Sequence, residues 1–195
     1  MSRKYLVCVL LILFSLGWGS IKSQSLMVDE SGRFQMVEVV PSDGFTKEAL
    51  YRNSLGWIKT LKGMDKTISY LSVDSVLCKI SGQYEFLVYM QGGILKKKAG
   101  AISCVISLEM KDNKYRYAFT DFLYHYLVQD RNYEMIKNGK TKPLEDTEAP
   151  GWQKLWNNHR KTAAREVKKR SEELKEVMIA VPNLVKENPK PEIEW

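Results

Sequence analysis

Val76-Leu77-Cys78-Lys79-Ile80-Ser81-Gly82-Gln83-Tyr84-Glu85-Phe86-Leu87-Val88-Tyr89-Met90 is the stretch that decides the fold. Its even positions, from Val76 and Cys78 to Val88 and Met90, are apolar except for Gly82, while Lys79, Ser81, Gln83 and Glu85 occupy odd ones. Successive side chains of a strand point to opposite faces, so this rhythm predicts one buried and one mostly wet face. Leu77 and Leu87 dilute the wet face, and Gly82 on the apolar face predicts a bend or bulge.

The pattern repeats downstream. Ile102, Cys104, Ile106, Leu108 and Met110 face one way, and Ser103, Ser107 and Glu109 the other. Lys111-Asp112-Asn113-Lys114 reads as a tight hairpin turn, after which Tyr115, Tyr117 and Phe119 continue the apolar face. Continued alternation puts Asp121 inside. Either it is a buried carboxylate with a partner, or a bulge near Thr120 turns Phe122, Tyr124 and Tyr126 inward. The cost of burying an unpaired charge favours the bulge.

Upstream, Phe34 to Pro41 predicts a first strand, and Ser42-Asp43-Gly44 a turn. Thr46 then caps a helix with Glu48 in its first turn, Leu50, Trp57, Ile58 and Leu61 on one face, and Gly63 as its stop. Thr67 to Val73 predicts a short strand, and Gln91-Gly92-Gly93 breaks the long alternating run. From Gly151 to Ala180 the apolar spacing is helical, with Trp152, Leu155, Trp156, Ala163, Val167, Leu174, Val177 and Met178 in a stripe. Thirty helical residues measure roughly 45 Å and a ten-residue strand roughly 33 Å, so this helix is expected to overhang the sheet or break near Asn157-Asn158. The expected organisation is a core over residues 33–127, a linker over 128–150, an amphipathic helix over 151–181 and a loose tail over 182–195. The expected class is α+β: a five-stranded, mostly antiparallel sheet with helices on one face, in the order β-α-β-β-β-β-α.

The N-terminal residues follow different rules. Ser2-Arg3-Lys4 precedes an uncharged apolar run from Tyr5 to Leu16, followed by Gly17-Trp18-Gly19-Ser20. This is the layout of a secretory signal peptide over residues 1–25, cleaved between Gly19 and Ser25. The rival is an uncleaved anchor, but a spanning helix needs roughly 20 apolar residues. Cys8 lies inside the apolar run, not at a small-residue box after a full apolar run, which argues against lipidation. Cleavage removes Arg3, Lys4 and Lys22 and lowers the net charge from +7 to +4. That mild charge does not resemble a nucleic-acid binder. The expected location is the periplasm or cell surface, with no transmembrane segment after cleavage.

The run Phe34 to Pro41, the segment Thr46-Lys47-Glu48-Ala49-Leu50-Tyr51, Trp57-Ile58, and the segment Tyr115 to Phe122 together resemble bacterial domain-of-unknown-function family 4468. The resemblance covers roughly Phe34 to Phe122. It implies a TATA-binding-protein-like fold, with a curved antiparallel sheet backed by helices. It also implies export from gut and oral bacteria of the Bacteroidetes type. Cys78 and Lys79 depart from a more usual Gly-Lys character there. The family carries no established activity, so the resemblance supplies no catalytic residues.

Residue chemistry points the same way. The two histidines, His125 and His159, lie in different elements, and neither C-x-x-C nor H-E-x-x-H is present, so no metal or other cofactor is expected. Gly92-Gly93 lacks the Lys-Ser/Thr of a phosphate loop. The trio Lys96-Lys97-Lys98 either touches acidic lipid or polysaccharide or, as is commoner, is a solvated loop. Cys78 and Cys104 fall on apolar faces, and a hairpin register would oppose Cys104 to Phe86 or Val88, far from Cys78. Two buried, reduced thiols are expected.

No reactive constellation stands out. The expected role is a non-enzymatic binding or interaction module whose partner is an envelope protein or a glycan. Its candidate surface is the wet sheet face with Lys79, Gln83, Glu85, Tyr89 and Arg116. The alternative is a small envelope hydrolase using Asp121, His125 and a tyrosine. Minor-groove DNA binding, which the fold name evokes, is not expected of an exported protein.

Overall fold

The computed structural model describes residues 26–90 and 97–180, and of Tyr70 and Leu71 the backbone only. The expected signal segment, the break at residues 91–93 and the C-terminal tail lie outside the described residues. The strands are β1 (Met27–Val28), β2 (Phe34–Pro41), β3 (Lys66–Asp74), β4 (Lys79–Tyr89), β5 (Lys98–Lys111), β6 (Lys114–Gln129) and β7 (Met135–Pro143). The helices are α1 (Lys47–Thr60), between β2 and β3, and α2 (Gln153–Met178), after β7.

All strand pairs are antiparallel, in the order β1-β2-β6-β5-β4-β3, with β7 also on β6. The α+β class and the antiparallel sheet are as expected. The strand count is not: the described residues form seven strands, not five, and the order gains β1 before β2 and β7 before α2. The expected linker over 128–150 instead contains β7 and the end of β6.

Both helices pack on one face of the sheet, hereafter the inner face. Leu50, Trp57, Ile58 and Leu61 join Tyr84, Phe86, Ile106, Leu108, Tyr117 and Phe119 in the same buried cluster as Trp156, Ala163, Val167 and Leu174. The Thr46 hydroxyl caps α1 by accepting from the Ala49 amide at 3.3 Å. The helix ends at Leu61 in a right-handed conformation, so Gly63 is not its stop; Gly63 instead pairs with Lys66 in an isolated bridge. The helix α2 is continuous through Asn157-Asn158, its sequence-expected break point. Trp152, placed in the apolar stripe by spacing, is 83% exposed just before the helix begins.

The alternating run begins later than its sequence implies. The amides of Val76 and Leu77 donate to Asp74 Oδ1, holding a turn that leaves both side chains exposed. Cys78 then enters β4 with φ +50° and its side chain buried. Met90, expected inside, is exposed at the other end. Opposite Gly82, β3 carries a bulge between Tyr70 and Ser72. A side chain at Gly82 would meet Ser69 O at 3.0 Å, so glycine permits the two backbones to approach. Cys104 faces Tyr84, not Phe86 or Val88 as expected, and both Cys78 and Cys104 are free and buried.

The bulge favoured near Thr120 is present. Asp121 has φ +53°, the β5–β6 register shifts between Ser103 and Val105, and the next residues reverse their faces. Phe122 and Tyr124 are buried, Tyr126 packs against the core, and Asp121 lies exposed. This bulge divides β6: β2 pairs with it before Asp121, and β7 after.

Candidate functional site

The inner face consumes its polar groups in structure. Glu166 of α2 accepts through Oε1 from Lys66 Nζ at 2.7 Å, Tyr84 OH at 2.6 Å and Arg170 Nε at 2.8 Å. Burial alone would raise the Glu166 carboxyl, but the Lys66 and Tyr84 donors and the charge of Arg170 hold it below the usual carboxylate range. Burial and the bond to Glu166 push the Tyr84 phenol far up, so it stays a donor. A second knot joins Glu38 of β2 to Lys175 of α2 at 2.7 and 2.8 Å and to the Tyr117 hydroxyl. At the far end, Tyr124 stacks on His159, meets Trp156 edge-on and donates to Ala99 O at 2.7 Å. These contacts bind the long helix to the sheet.

The opposite, outer face has no helix on it, and all five sequence-predicted binding residues lie on its strands. They do not form one cluster. Lys79 and Tyr89 stand at opposite ends of β4, ten residues apart, or roughly 33 Å along the strand. Lys79 is level with Glu109, which is level with Arg116, which is level with Val39. Lys79 Nζ pairs with Glu109 at 3.4 Å. Gln83 sits midway, between Ser69 and Val105. Burial, with a hydrogen bond to Asp65, raises the Tyr89 phenol.

Glu85 belongs to a polar knot absent from the sequence expectation. Lys137 Nζ of β7 bonds to Glu85 Oε2 at 2.5 Å, His125 Nε2 lies 3.9 Å from the same oxygen, and Ser103 Oγ lies 2.7 Å from that same nitrogen. Burial and the Lys137 charge lower the His125 pKa, with Glu85 opposing, so the imidazole is neutral at neutral pH. A serine–histidine pair suggests nucleophilic chemistry. A triad needs its carboxylate on the nitrogen away from the serine, and here serine and carboxylate face one nitrogen. Ser103 is also 1% exposed, which denies it a substrate.

The structure does not join Asp121 to His125. Asp121 pairs with Arg33 at 3.5 Å and accepts from Thr120, whereas His125 faces Ser103 and Glu85. Among the described residues no group of three or more His, Cys, Asp or Glu side chains is placed to hold a metal, and no helix is long and apolar enough to cross a membrane.

Sequence reasoning also missed the outer corner at the β5–β6 turn. A pocket of about 190 Å³ there is lined by Val39, Glu109, Lys111, Lys114, Tyr115 and Arg116. The turn beneath it is fixed: Gly44 N donates to Asn113 Oδ1 and Lys47 N to Asp112 Oδ1, both at 2.9 Å. The one available signal was a cluster of Lys111, Lys114 and Arg116 around a two-residue turn, which brings 111 level with 114.

An antiparallel sheet with two helices on one face and none on the other defines an α+β protein of the TATA-binding-protein-like class. Residues 37–125 of the chain match the model of the family described as "Domain of unknown function (DUF4468) with TBP-like fold". Two crystal structures share the fold. A TBP-like protein from Parabacteroides distasonis is 13% identical with a TM-score of 0.58, the match covering 77% of this chain and 95% of that one. A DUF4468 family protein from Bacteroides ovatus is 12% identical with a TM-score of 0.55, over 80% and 91% respectively. No curated protein matches the chain.

Proposed function

We propose that this protein is an exported binding module of the bacterial cell envelope, periplasmic or surface-located, and that the outer sheet face recognises its partner. The observation that carries this reading is the asymmetry of the sheet. Both helices are bound to the inner face, while the outer face presents the half-buried Gln83, the exposed Arg116 and the 58% exposed Val39. Polar and apolar side chains held on a rigid sheet form a surface that binds without rearrangement. The basic-then-apolar N-terminal segment supports export. The partner is an envelope protein or a glycan.

The test has two readouts in the producing bacterium. Cell fractionation with N-terminal sequencing should find the protein in the envelope, beginning between residues 20 and 26. A photo-crosslinking residue at Gln83 should give a discrete adduct, and the same residue at Lys168 on the exposed side of α2 should give none. Cytoplasmic recovery with an intact N-terminus overturns the export reading; adducts at neither position overturn the binding reading.

A further inference from the structure

We infer that the outer corner at the β5–β6 turn is an anion site that takes a single carboxylate or phosphate group of a larger ligand. The inference rests on the outer face being the recognition surface and names the chemistry of one end of it.

Charge is the first argument. Lys111 and Lys114 are cross-strand neighbours at the turn, and two residues back on the same face stand Glu109 and Arg116. Two residues along a strand are roughly 7 Å, so all four heads converge on one pocket. Glu109 is held by Lys79 on its β4 side. Among the described residues neither Lys111, Lys114 nor Arg116 has an acidic partner within 4 Å, although thirteen ion pairs form among those residues. Three cations therefore share a concavity whose one acid also pairs with Lys79.

Geometry is the second argument. Arg116 offers a planar fork that meets a carboxylate or phosphate through two parallel hydrogen bonds, and the lysines add point charges. The hairpin carrying them is clamped at its tip by Gly44, Lys47 and Ser42, so the cations sit on a fixed backbone. At about 190 Å³, the pocket is smaller than the roughly 300 Å³ lower bound for sites that enclose a small molecule. It accommodates one charged group. The exposed Val39 at its β2 side gives the rest of the ligand an apolar surface to cross.

Titration of the isotopically labelled protein, followed by amide and arginine side-chain NMR, tests this. Inorganic phosphate and glucuronate are the probes, against sodium chloride at matched ionic strength. Saturable shifts confined to residues 39–41 and 109–116 are expected, with a dissociation constant on the order of 1 mM, weakening as salt rises. R116Q should weaken binding about tenfold and R116K less, because lysine keeps the charge but loses the fork. K168Q, remote on α2, should change nothing. Saturation by phosphate alone assigns a phosphate-bearing ligand, and by glucuronate alone a sugar acid. Shifts that never saturate, or that appear equally around Lys168, overturn the site. A Gln83 adduct in cells alongside such a failure leaves the outer face as a binding surface and removes only its anion chemistry.

Discussion

The two faces of one sheet use the same residue types to opposite ends. On the inner face, Lys66 and Arg170 are spent on a single carboxylate oxygen of Glu166, and Lys175 on Glu38. On the outer face, Lys111, Lys114 and Arg116 gather round a pocket with one acid. The difference is whether a helix lies above the strand. Under α2 a charge left alone would pay a desolvation penalty, so each is paired. Around the anion corner no element covers the strands and that penalty vanishes, so Lys111, Lys114 and Arg116 stay unpaired and free for something arriving from outside. Inner-face substitutions should therefore register in stability and outer-face ones in binding.

The largest effect should come from Gly100. A side chain there would stand 2.3 Å from Tyr124 Cε2 and 2.4 Å from its Cζ and hydroxyl oxygen. The ring is held by Trp156, His159 and Ala99 and cannot retreat without breaking that contact set. Gly100→Ala should cost about 3 kcal/mol in denaturant unfolding. The cost should be smaller when Tyr124→Ala is already present, a non-additivity that isolates the clash. Equal costs in both backgrounds would show that the inner face is less tightly packed than the comparison requires.

Next comes Glu166→Gln, which leaves Lys66 and Arg170 facing a neutral amide. It should cost about 2 kcal/mol at pH 7. The sign of its pH dependence follows from the depressed carboxyl pKa. The stabilisation from this carboxylate is fully present above the unfolded value near 4.5 and is lost as pH falls through the lower folded value. The gap between the two proteins should therefore be constant from pH 6 to 8 and close in acid. A gap that widens below pH 4 would contradict the ion knot.

The smallest stability effect should come from Arg116→Gln. It should move Tm by less than about 2 °C while weakening phosphate and glucuronate binding about tenfold. A large drop in Tm would place Arg116 with the structural charges and erase the contrast between the faces.

Much of this architecture was legible in residue order, because it rests on local periodicity. The β4 and β5 rhythms, the Thr46 cap and the costly Asp121 each report their environment through near neighbours. The failures share a cause too. The segment Met135–Pro143 is exposed on nearly every residue, so it carries no alternation, and only its pairing with β6 makes it a strand. Val76 alternates correctly but is held out of β4 by an Asp74 side chain that periodicity ignores. Arg170 lies outside the apolar stripe of α2 and yet is 7% exposed, because its partner Glu166 is itself fixed by Tyr84 from β4. The Ser103–His125–Glu85–Lys137 knot needed the bulge register and the unseen β7 together. The five proposed binding residues share one face, as alternation implies, but their separation along β4 and the pocket beside Arg116 depend on strand register, which composition does not encode.

The sixteen-residue β6 lends one edge to two neighbours in turn, β2 before Asp121 and β7 after it. One end of the domain is thus insulated from the other by a single left-handed residue. Lengthening or trimming the hairpin between Gln129 and Met135 leaves the β2 pairing and the anion corner in place. Insertions at that hairpin should alter one rim of the sheet and leave the geometry of the other unchanged.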